Sequence, residues 1–301
     1  MLPQVIVILG PTASGKSGLA IKLAKHFDGE IISADSRQIY HGFVIGSGLV
    51  KGELKDNVYY SENIAHHLIQ FLDPKKSFSA AEFKKIAINE VKGIYKRRHA
   101  PFLVGGTGLY IDTLIKNLDI PQIKPNKALR KKLEEKSNEE LLKQLELLDP
   151  QTAKIIDKNN PRRLVRAIEV SLLGELSFSQ SQKQGKKLFD ALKIGIQIDR
   201  QKLYQNIDER VERMIEDGLI REVEDLLKFY SKSAPAFSGI GYSQVIEYLD
   251  GKYIEIEMIQ KIKMATHAYA RRQITWFKRD KEINWVKNYK EAEKLTKEFI
   301  S

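Results

Sequence analysis

The residues with the most specific chemical pattern stand at the front of the chain, where VIVILGPTASGKS contains GxxxxGK[ST]. Gly10, Pro11, Thr12, Ala13, Ser14 and Gly15 form a turn whose backbone N–H groups can converge on an anion. Lys16 brings a full positive charge, and Ser17 a hydroxyl placed to ligate a Mg²⁺ bridging two phosphate oxygens. The ligand class is a polyphosphate, of an ester the pattern leaves open. A glycine-rich turn with no ligand is the plainer alternative, which the strand-turn-helix context disfavours.

Other polar residues recur where apolar runs end. Residues 30–34, EIISA, lead into Asp35-Ser36-Arg37-Gln38, and residues 101–104, PFLV, lead into Gly105-Gly106-Thr107-Gly108-Leu109-Tyr110. Asp35 suits a general base, an outer magnesium partner or a helix N-cap. Thr107 suits a hydroxyl aimed at a ligand or a cap for a helix starting at Leu109.

Positioning these groups calls for a parallel sheet. Residues 5–9 are a continuous β-branched run of the kind buried on both faces, and GLAIKLAKHF continues the phosphate turn as an amphipathic helix. Strand carboxyl ends line the ligand crevice of an open α/β sheet, so Asp35 and Thr107 should face the phosphate turn. Residues 191–198 read as another strand. Helices are expected over 78–98, with Ser79 as N-cap, and over 203–229. In the latter Leu203, Ile207, Val211, Met214 and Ile215 make one apolar face flanked by Arg210 and Arg213. Residues 47–70 read as loop and then weak helix, where His66 and His67 would point too far apart to share a metal.

Between 121 and 187 strand signals vanish, and Lys/Glu/Leu-rich helices are broken by Pro125, Pro150 and Pro161, the texture of a helical insertion. Within it NNPRRLVR sets Arg162, Arg163 and Arg166 near a helix start. Their charge opposes the dipole there, which suits a bound anion or a solvated surface. Residues 238–244, SGIGYSQ, are a tight glycine turn carrying an aromatic. Residues 266–279 interleave Tyr269, Trp276 and Phe277 with Arg271, Arg272, Lys278 and Arg279. RNA wants such arginines for phosphates and aromatic faces for unstacked bases, although a core helix with basic flanks has the same composition.

The 301-residue chain carries a net charge of +11, and residues 261–301 supply +6 of it from eleven Lys/Arg against five Asp/Glu. The absence of cysteine excludes disulfides, thiol nucleophiles and thiolate metal sites. No run nears the ~20 apolar residues of a membrane span, and no signal-peptide pattern is seen. A soluble, cytoplasmic, monomeric protein with no membrane partner is expected.

Taken together, GPTASGKS, ADSRQIY, GGTGLY, NPRRLVRAIEV, GIGYSQ and RRQITWF resemble, in order and approximate spacing, the tRNA dimethylallyltransferases, also called tRNA isopentenyltransferases. The resemblance spans nearly the whole chain. It implies an α/β fold, a P-loop NTPase-like parallel sheet flanked by helices with an inserted helical domain. The core would occupy 1–120 and 188–301, the latter with basic aromatic helices, and the tRNA-contacting insertion 121–187. The implied reaction moves a dimethylallyl group from dimethylallyl diphosphate to the exocyclic amine of the adenosine 3′ of the anticodon in a tRNA anticodon stem-loop. Diphosphate leaves, and Mg²⁺ is the only cofactor implied. Residues 10–17 would hold the diphosphate, Ser17 the metal, and Asp35 would act as base beside Thr107 and Arg210. Asp35, Ser36, Arg37, Gln38, Thr107, Leu129, Arg162, Arg163, Arg166, Gly241, Tyr242, Arg271, Arg272, Gln273 and Trp276 would meet the tRNA.

Two departures stand out. Where the family shows an IGTAKP-like run, this chain has Ile45-Gly46-Ser47-Gly48-Leu49-Val50, and Asn206 replaces a common arginine. A small-molecule or nucleoside kinase would share the phosphate turn, Mg²⁺ and Asp35 but has no need of a basic aromatic C-terminus. A nucleotide-regulated RNA-binding module would bind RNA without altering it, and no NKxD motif supports its GTPase form.

Overall fold

A computed structural model describes residues 2–121, 123, 126–174, 178 and 185–301. The chain forms two compact units, Met1–Ile111 with Leu188–Ser301, and Asp112–Lys187. The larger unit holds strands β1 (Gln4–Leu9), β2 (Gly29–Ser33), β3 (Glu53–Lys55), β4 (Val58–Ser61), β5 (Ile64–His67), β6 (Ala100–Gly105), β7 (Asp190–Ile196) and β8 (Ile283–Val286). They form one sheet in the order β3-β4-β5-β2-β6-β1-β7-β8, parallel from β5 to β8. Residues 5–9 are all buried, on an interior strand with neighbours on both sides, as their apolar run requires. Helix α1 (Lys16–His26) packs Ala20, Ile21, Leu23 and Ala24 onto the sheet. Helix α2 (Ala80–Lys96) opens on a capping box in which the Ser79 Oγ accepts from Glu82 N, and α3 (Gly108–Ile115) follows β6.

Residues 47–70 depart from the sequence reading. Instead of loop and weak helix they add β3, β4 and β5 as two hairpins at the sheet edge. Their turns, Asp56-Asn57 and Glu62-Asn63, have φ of 48°, 64°, 50° and 65°, the left-handed pairs that two-residue hairpins use. His67 Nε2 lies 2.6 Å from Glu30 Oε2, and His66 is buried, so both histidines are packing residues.

The smaller unit begins at Asp112, not at 121. Its helices are α4 (Lys127–Glu134), α5 (Asn138–Leu148), α6 (Pro150–Ile155) and α7 (Pro161–Leu173), packed on Leu133, Leu141, Leu145, Leu164 and Ile168. Pro150 and Pro161 each open a helix at its first position, where a missing N–H costs nothing; Pro125 lies outside the described residues. Glu169 is fully buried and accepts from Arg130, Arg166 and the Asn126 N–H at 2.6–2.9 Å.

Returning to the larger unit, the helix expected over 203–229 is two, α8 (Arg200–Glu216) and α9 (Leu219–Leu227), divided by Gly218 at φ 95°. Next come α10 (Tyr242–Leu249), α11 (Glu255–Phe277) and α12 (Tyr289–Ile300). No helix among the described residues is long and apolar enough to cross a membrane.

Candidate active site

Three chain segments leave the carboxyl ends of adjacent strands and meet at one place. After β1 comes the phosphate turn, with Ala13 at φ 61° and Gly15 at φ 88° ahead of α1. Side chains from two helices hold it from outside. On α8, Asn206 Nδ2 donates to Ala13 O (3.2 Å) and Arg210 Nη1 to Thr12 Oγ1 (3.1 Å). On α11, Gln273 Oε1 accepts from Thr12 N (2.8 Å) while its Nε2 donates to Gly106 O (2.9 Å). Asn206, at the position where the family commonly has arginine, therefore braces the turn instead of offering a charge.

After β2, Asp35 Oδ1 accepts from Arg37 N at 2.8 Å, a turn that fixes one carboxylate oxygen and leaves the other. After β6, Thr107 Oγ1 accepts from Ser36 N (3.1 Å). The approach is close because Gly105 lacks a Cβ, which would stand 2.2 Å from Ala34 O. Two further polar residues order the same strand end: Gln38 Oε1 accepts from Ser33 Oγ, and Arg37 Nη1 donates to Ser238 Oγ.

These groups enclose a cavity of ≈ 300 Å³. Thr12, Lys16, Ser17, Asp35 and Arg210 are among its polar lining, and Ile207, Val211, Met214 and Ile262 among its apolar lining. Burial pulls the Lys16 ammonium down to about 8, against the opposing charge of Asp35. Burial likewise lowers Arg210, with Asp35 again opposing. Tyr269 is pushed up to about 12 by burial and by Asp35, while the nearby Thr107 hydroxyl works the other way.

Among the described residues no cluster of three or more His, Cys, Asp or Glu could cage a metal. A magnesium ion needs no such cage when substrate phosphates and water supply most ligands, and the cavity offers it the Ser17 hydroxyl near Asp35. Ser14 Oγ is buried without a hydrogen-bond partner and lies against Gly10, where a Cβ would stand 2.8 Å from it.

The residues expected to meet RNA separate by environment. Arg162, Arg271 and Arg272 are exposed, and Arg163 is half-buried. Arg271 Nη1 donates to the Tyr204 hydroxyl (3.0 Å), and Arg272 lies over the Tyr269 ring. Trp276 is half-buried, its indole filling the space that a Cβ on Gly108 would take. Gly241 adopts φ 93° ahead of α10. Four positions are set differently by packing. Tyr242 is 1% exposed, its ring against Phe43 and its hydroxyl on Glu222 (2.7 Å). The Gln273 amide is engaged by the two glycine turns. Leu129 packs on the apolar core of the smaller unit. Arg166 donates to Glu169 (2.6 Å) and to the carbonyls of Ile123 and Pro121. Sequence reasoning passed over Glu222, an ordinary-looking acid on an amphipathic helix, which accepts from Val44, Ile45 and Gly46 N–H.

Comparison with known proteins agrees with this geometry. Residues 38–280 match the family described as IPP transferase, and residues 3–67 one described as Isopentenyl transferase. A tRNA dimethylallyltransferase 2 of Geotalea uraniireducens is 41% identical over 292 residues, covering 94% of this chain and 92% of the relative. A tRNA dimethylallyltransferase of Acetivibrio thermocellus is 42% identical over 293 residues, covering 95% and 92%. The crystal structure of a tRNA isopentenylpyrophosphate transferase from Bacillus halodurans superposes with a TM-score of 0.72 at 32% identity, over 99% of this chain and 95% of that one. A eukaryotic dimethylallyltransferase captured acting on tRNA gives 0.74 at 29% identity, over 91% and 69%. With one sheet bringing phosphate turn, Asp35 and Thr107 together, and with relatives matched nearly end to end, the chain belongs to the IPP transferase family.

Proposed function

We propose that this protein transfers the dimethylallyl group of dimethylallyl diphosphate to the exocyclic amine of the adenosine 3′ of the anticodon in tRNA, as a cytoplasmic monomer. Its relatives' names and family support the transfer. The observation that carries the substrate choice is the cavity, where the cations Lys16 and Arg210 and apolar side chains from α8 and α11 line one space of ≈ 300 Å³. That is the small end of ligand sites, and its polarity matches a diphosphate joined to five carbons better than a nucleoside triphosphate. The kinase and RNA-switch alternatives lose their footing to family membership across 38–280.

The adenine amine is a weak nucleophile, its lone pair being delocalised into the ring. As the N–C bond forms and the C–O bond to diphosphate breaks, the amine proton needs an acceptor within about 3 Å. Asp35 fits that role through the carboxylate oxygen not held by Arg37 N–H. The bonding pair leaves on the diphosphate, whose charge meets Lys16 and Arg210. Mg²⁺, held by Ser17, would neutralise further charge on that leaving group when bound. The target base must leave its stack at a cost of a few kcal/mol, which contacts from Arg271, Arg272 and Arg162 to RNA phosphates can offset.

The test is incubation with Mg²⁺, radiolabelled dimethylallyl diphosphate and an anticodon stem-loop, followed by nucleoside mass analysis. Label in the target adenosine, absent when guanosine replaces it, is the expected result. ATP turnover, or RNA binding without label, would overturn the assignment.

A further inference from the structure

We propose that Met214 sets the length of the prenyl chain this site accepts, standing as the stop beyond a five-carbon group. The proposal rests on the reaction assigned above and adds a specificity residue to it. Helix α8 presents two neighbouring rows of side chains here. Asn206 and Arg210, one turn apart, donate to Ala13 O (3.2 Å) and Thr12 Oγ1 (3.1 Å), so the phosphate turn is held at the level of those two residues. The adjacent row is apolar, and Ile207, Val211 and Met214 all line the cavity that Thr12 and Arg210 also line. At about 1.5 Å per residue this row follows the cavity for about 10 Å, from the level of the phosphate turn to one turn past Arg210.

Met214 ends that row. Helix α8 stops at Glu216, so none of its later side chains follows on the same face. Ile207 and Val211 are buried while Met214 is half-buried, which puts the inner part of the row beside the phosphate turn and its rim at the methionine. A chain bound through its diphosphate beside Arg210 has about 6 Å of α8 before the level of Met214. The four-carbon backbone of a dimethylallyl group advances about 4–5 Å and fits that interval, whereas a geranyl group, twice as long, would need the space the methionine fills. Methionine is unbranched and adaptable, so it rejects the longer chain by a cost in free energy and not absolutely. A single methylene too many in an apolar pocket is worth about 10- to 200-fold in selectivity.

The experiment is a competition. Wild type, Met214→Ala, Met214→Leu and Val211→Ala are each given Mg²⁺, an anticodon stem-loop and equimolar dimethylallyl and geranyl diphosphates, and the two products are measured by nucleoside mass analysis. Geranyl transfer makes and breaks the same bonds: the first carbon gains the adenine nitrogen and loses the diphosphate oxygen, which keeps the bonding pair, and the amine proton passes to Asp35. The product ratio is the ratio of the two kcat/KM values, and because it is internal to one preparation it does not depend on how much of a variant folds. Wild type should favour dimethylallyl by about 100-fold or more, and Met214→Ala should move the ratio toward geranyl by about tenfold or more. Met214→Leu, of similar volume, should stay within about threefold of wild type. Val211→Ala should do the same, because Val211 stands beside the diphosphate and not beyond the prenyl group. Equal use of both chains by wild type, an unmoved ratio in Met214→Ala, or an equal shift in Val211→Ala would overturn the proposal while leaving dimethylallyl transfer intact. Failure of wild type to transfer either group would strike the transfer assignment itself, and this proposal with it.

Discussion

Replacing Gln273 by methionine removes two hydrogen bonds that tie the phosphate turn to the Gly106 turn while conserving side-chain length. Gln273 is 5% exposed, accepting from Thr12 N at 2.8 Å and donating to Gly106 O at 2.9 Å. A backbone group orphaned in the interior costs about 1–3 kcal/mol, and one that water can re-solvate about 0.5–1.5 kcal/mol. Gly106 is buried and Thr12 half-buried, so the first figure applies to the carbonyl and the second to the N–H. The sum is about 1.5–4.5 kcal/mol, a large part of the 5–15 kcal/mol typical of a folded domain. Both tryptophans, Trp276 and Trp285, lie in the larger unit, so urea unfolding followed by their fluorescence reports that unit. The midpoint should fall at unchanged slope. Gln273→Glu keeps the bond to Thr12 but sets an oxygen against Gly106 O, and should also destabilise. A loss under about 0.5 kcal/mol in the methionine variant would refute the accounting, since surface substitutions cost no more than that.

Asp35→Ala should lower turnover about 10²- to 10⁴-fold while leaving stem-loop affinity within a few fold, and near-normal turnover would remove Asp35 from the base role. Arg271→Ala with Arg272→Ala should weaken stem-loop binding and flatten the dependence of log K on log salt by about one to two, measured by anisotropy titration at several salt concentrations. Lys16 has its pKa lowered to about 8, so its ammonium is lost as pH rises through that value. Pyrophosphate affinity should fall roughly tenfold between pH 7 and 9, and a flat profile would show that Lys16 does not carry the interaction. Glu169 is held down at about 2: burial pushes it up, but Arg130, Arg166 and the Asn126 N–H prevail. Its folded value lies below its unfolded one, so its stabilisation is complete above about pH 4.5 and lost as pH falls toward 2. Glu169→Gln should destabilise the smaller unit by about 2–4 kcal/mol, less than for a fully enclosed pair because both arginines reach solvent. It should also abolish that acid transition in circular dichroism; an unchanged transition would assign it to other carboxylates.

Central strands were legible because burial on both faces demands apolar runs: residues 5–9 and 30–34 and the PFLV run all became parallel strands whose ends carry the expected polar groups. The edge was not. β3 is exposed at all three residues and its neighbours alternate weakly, so no hydrophobic period marks them. Their turns are Asp-Asn and Glu-Asn, where the more telling hairpin signal ends in glycine. Asp35, Thr107, Lys16 and Ser17 could be placed from strand ends alone. Gln273, Tyr242 and Arg166 could not, because a polar side chain that satisfies a buried neighbour has the same letters as one that faces RNA. Only the partner distinguishes them: for Gln273 and Tyr242 it is distant in sequence, Thr12 and Ser47, and Arg166 adds the distant Pro121 carbonyl to its near partner Glu169.

The sheet order also bears on synthesis. β1, the first strand made, lies inside the sheet, flanked by β6 on one side and β7 on the other, with Gln4 paired to Asp190. A nascent chain emerging from the ribosome can bring β1, β2 and β6 together once about residue 105 has cleared the tunnel, covering one flank of β1. Its other flank stays open until the whole of Asp112–Lys187 has been made and β7 follows, and β7 in turn waits for β8, which pairs Lys193 with Ile283. For that interval an apolar strand edge is exposed, the condition under which chains pair with one another instead of with themselves. The contacts of α4 to α7 are local, so that unit can form during the wait. Translation pace across 112–190 thus becomes a determinant of yield that activity assays on purified protein would never register.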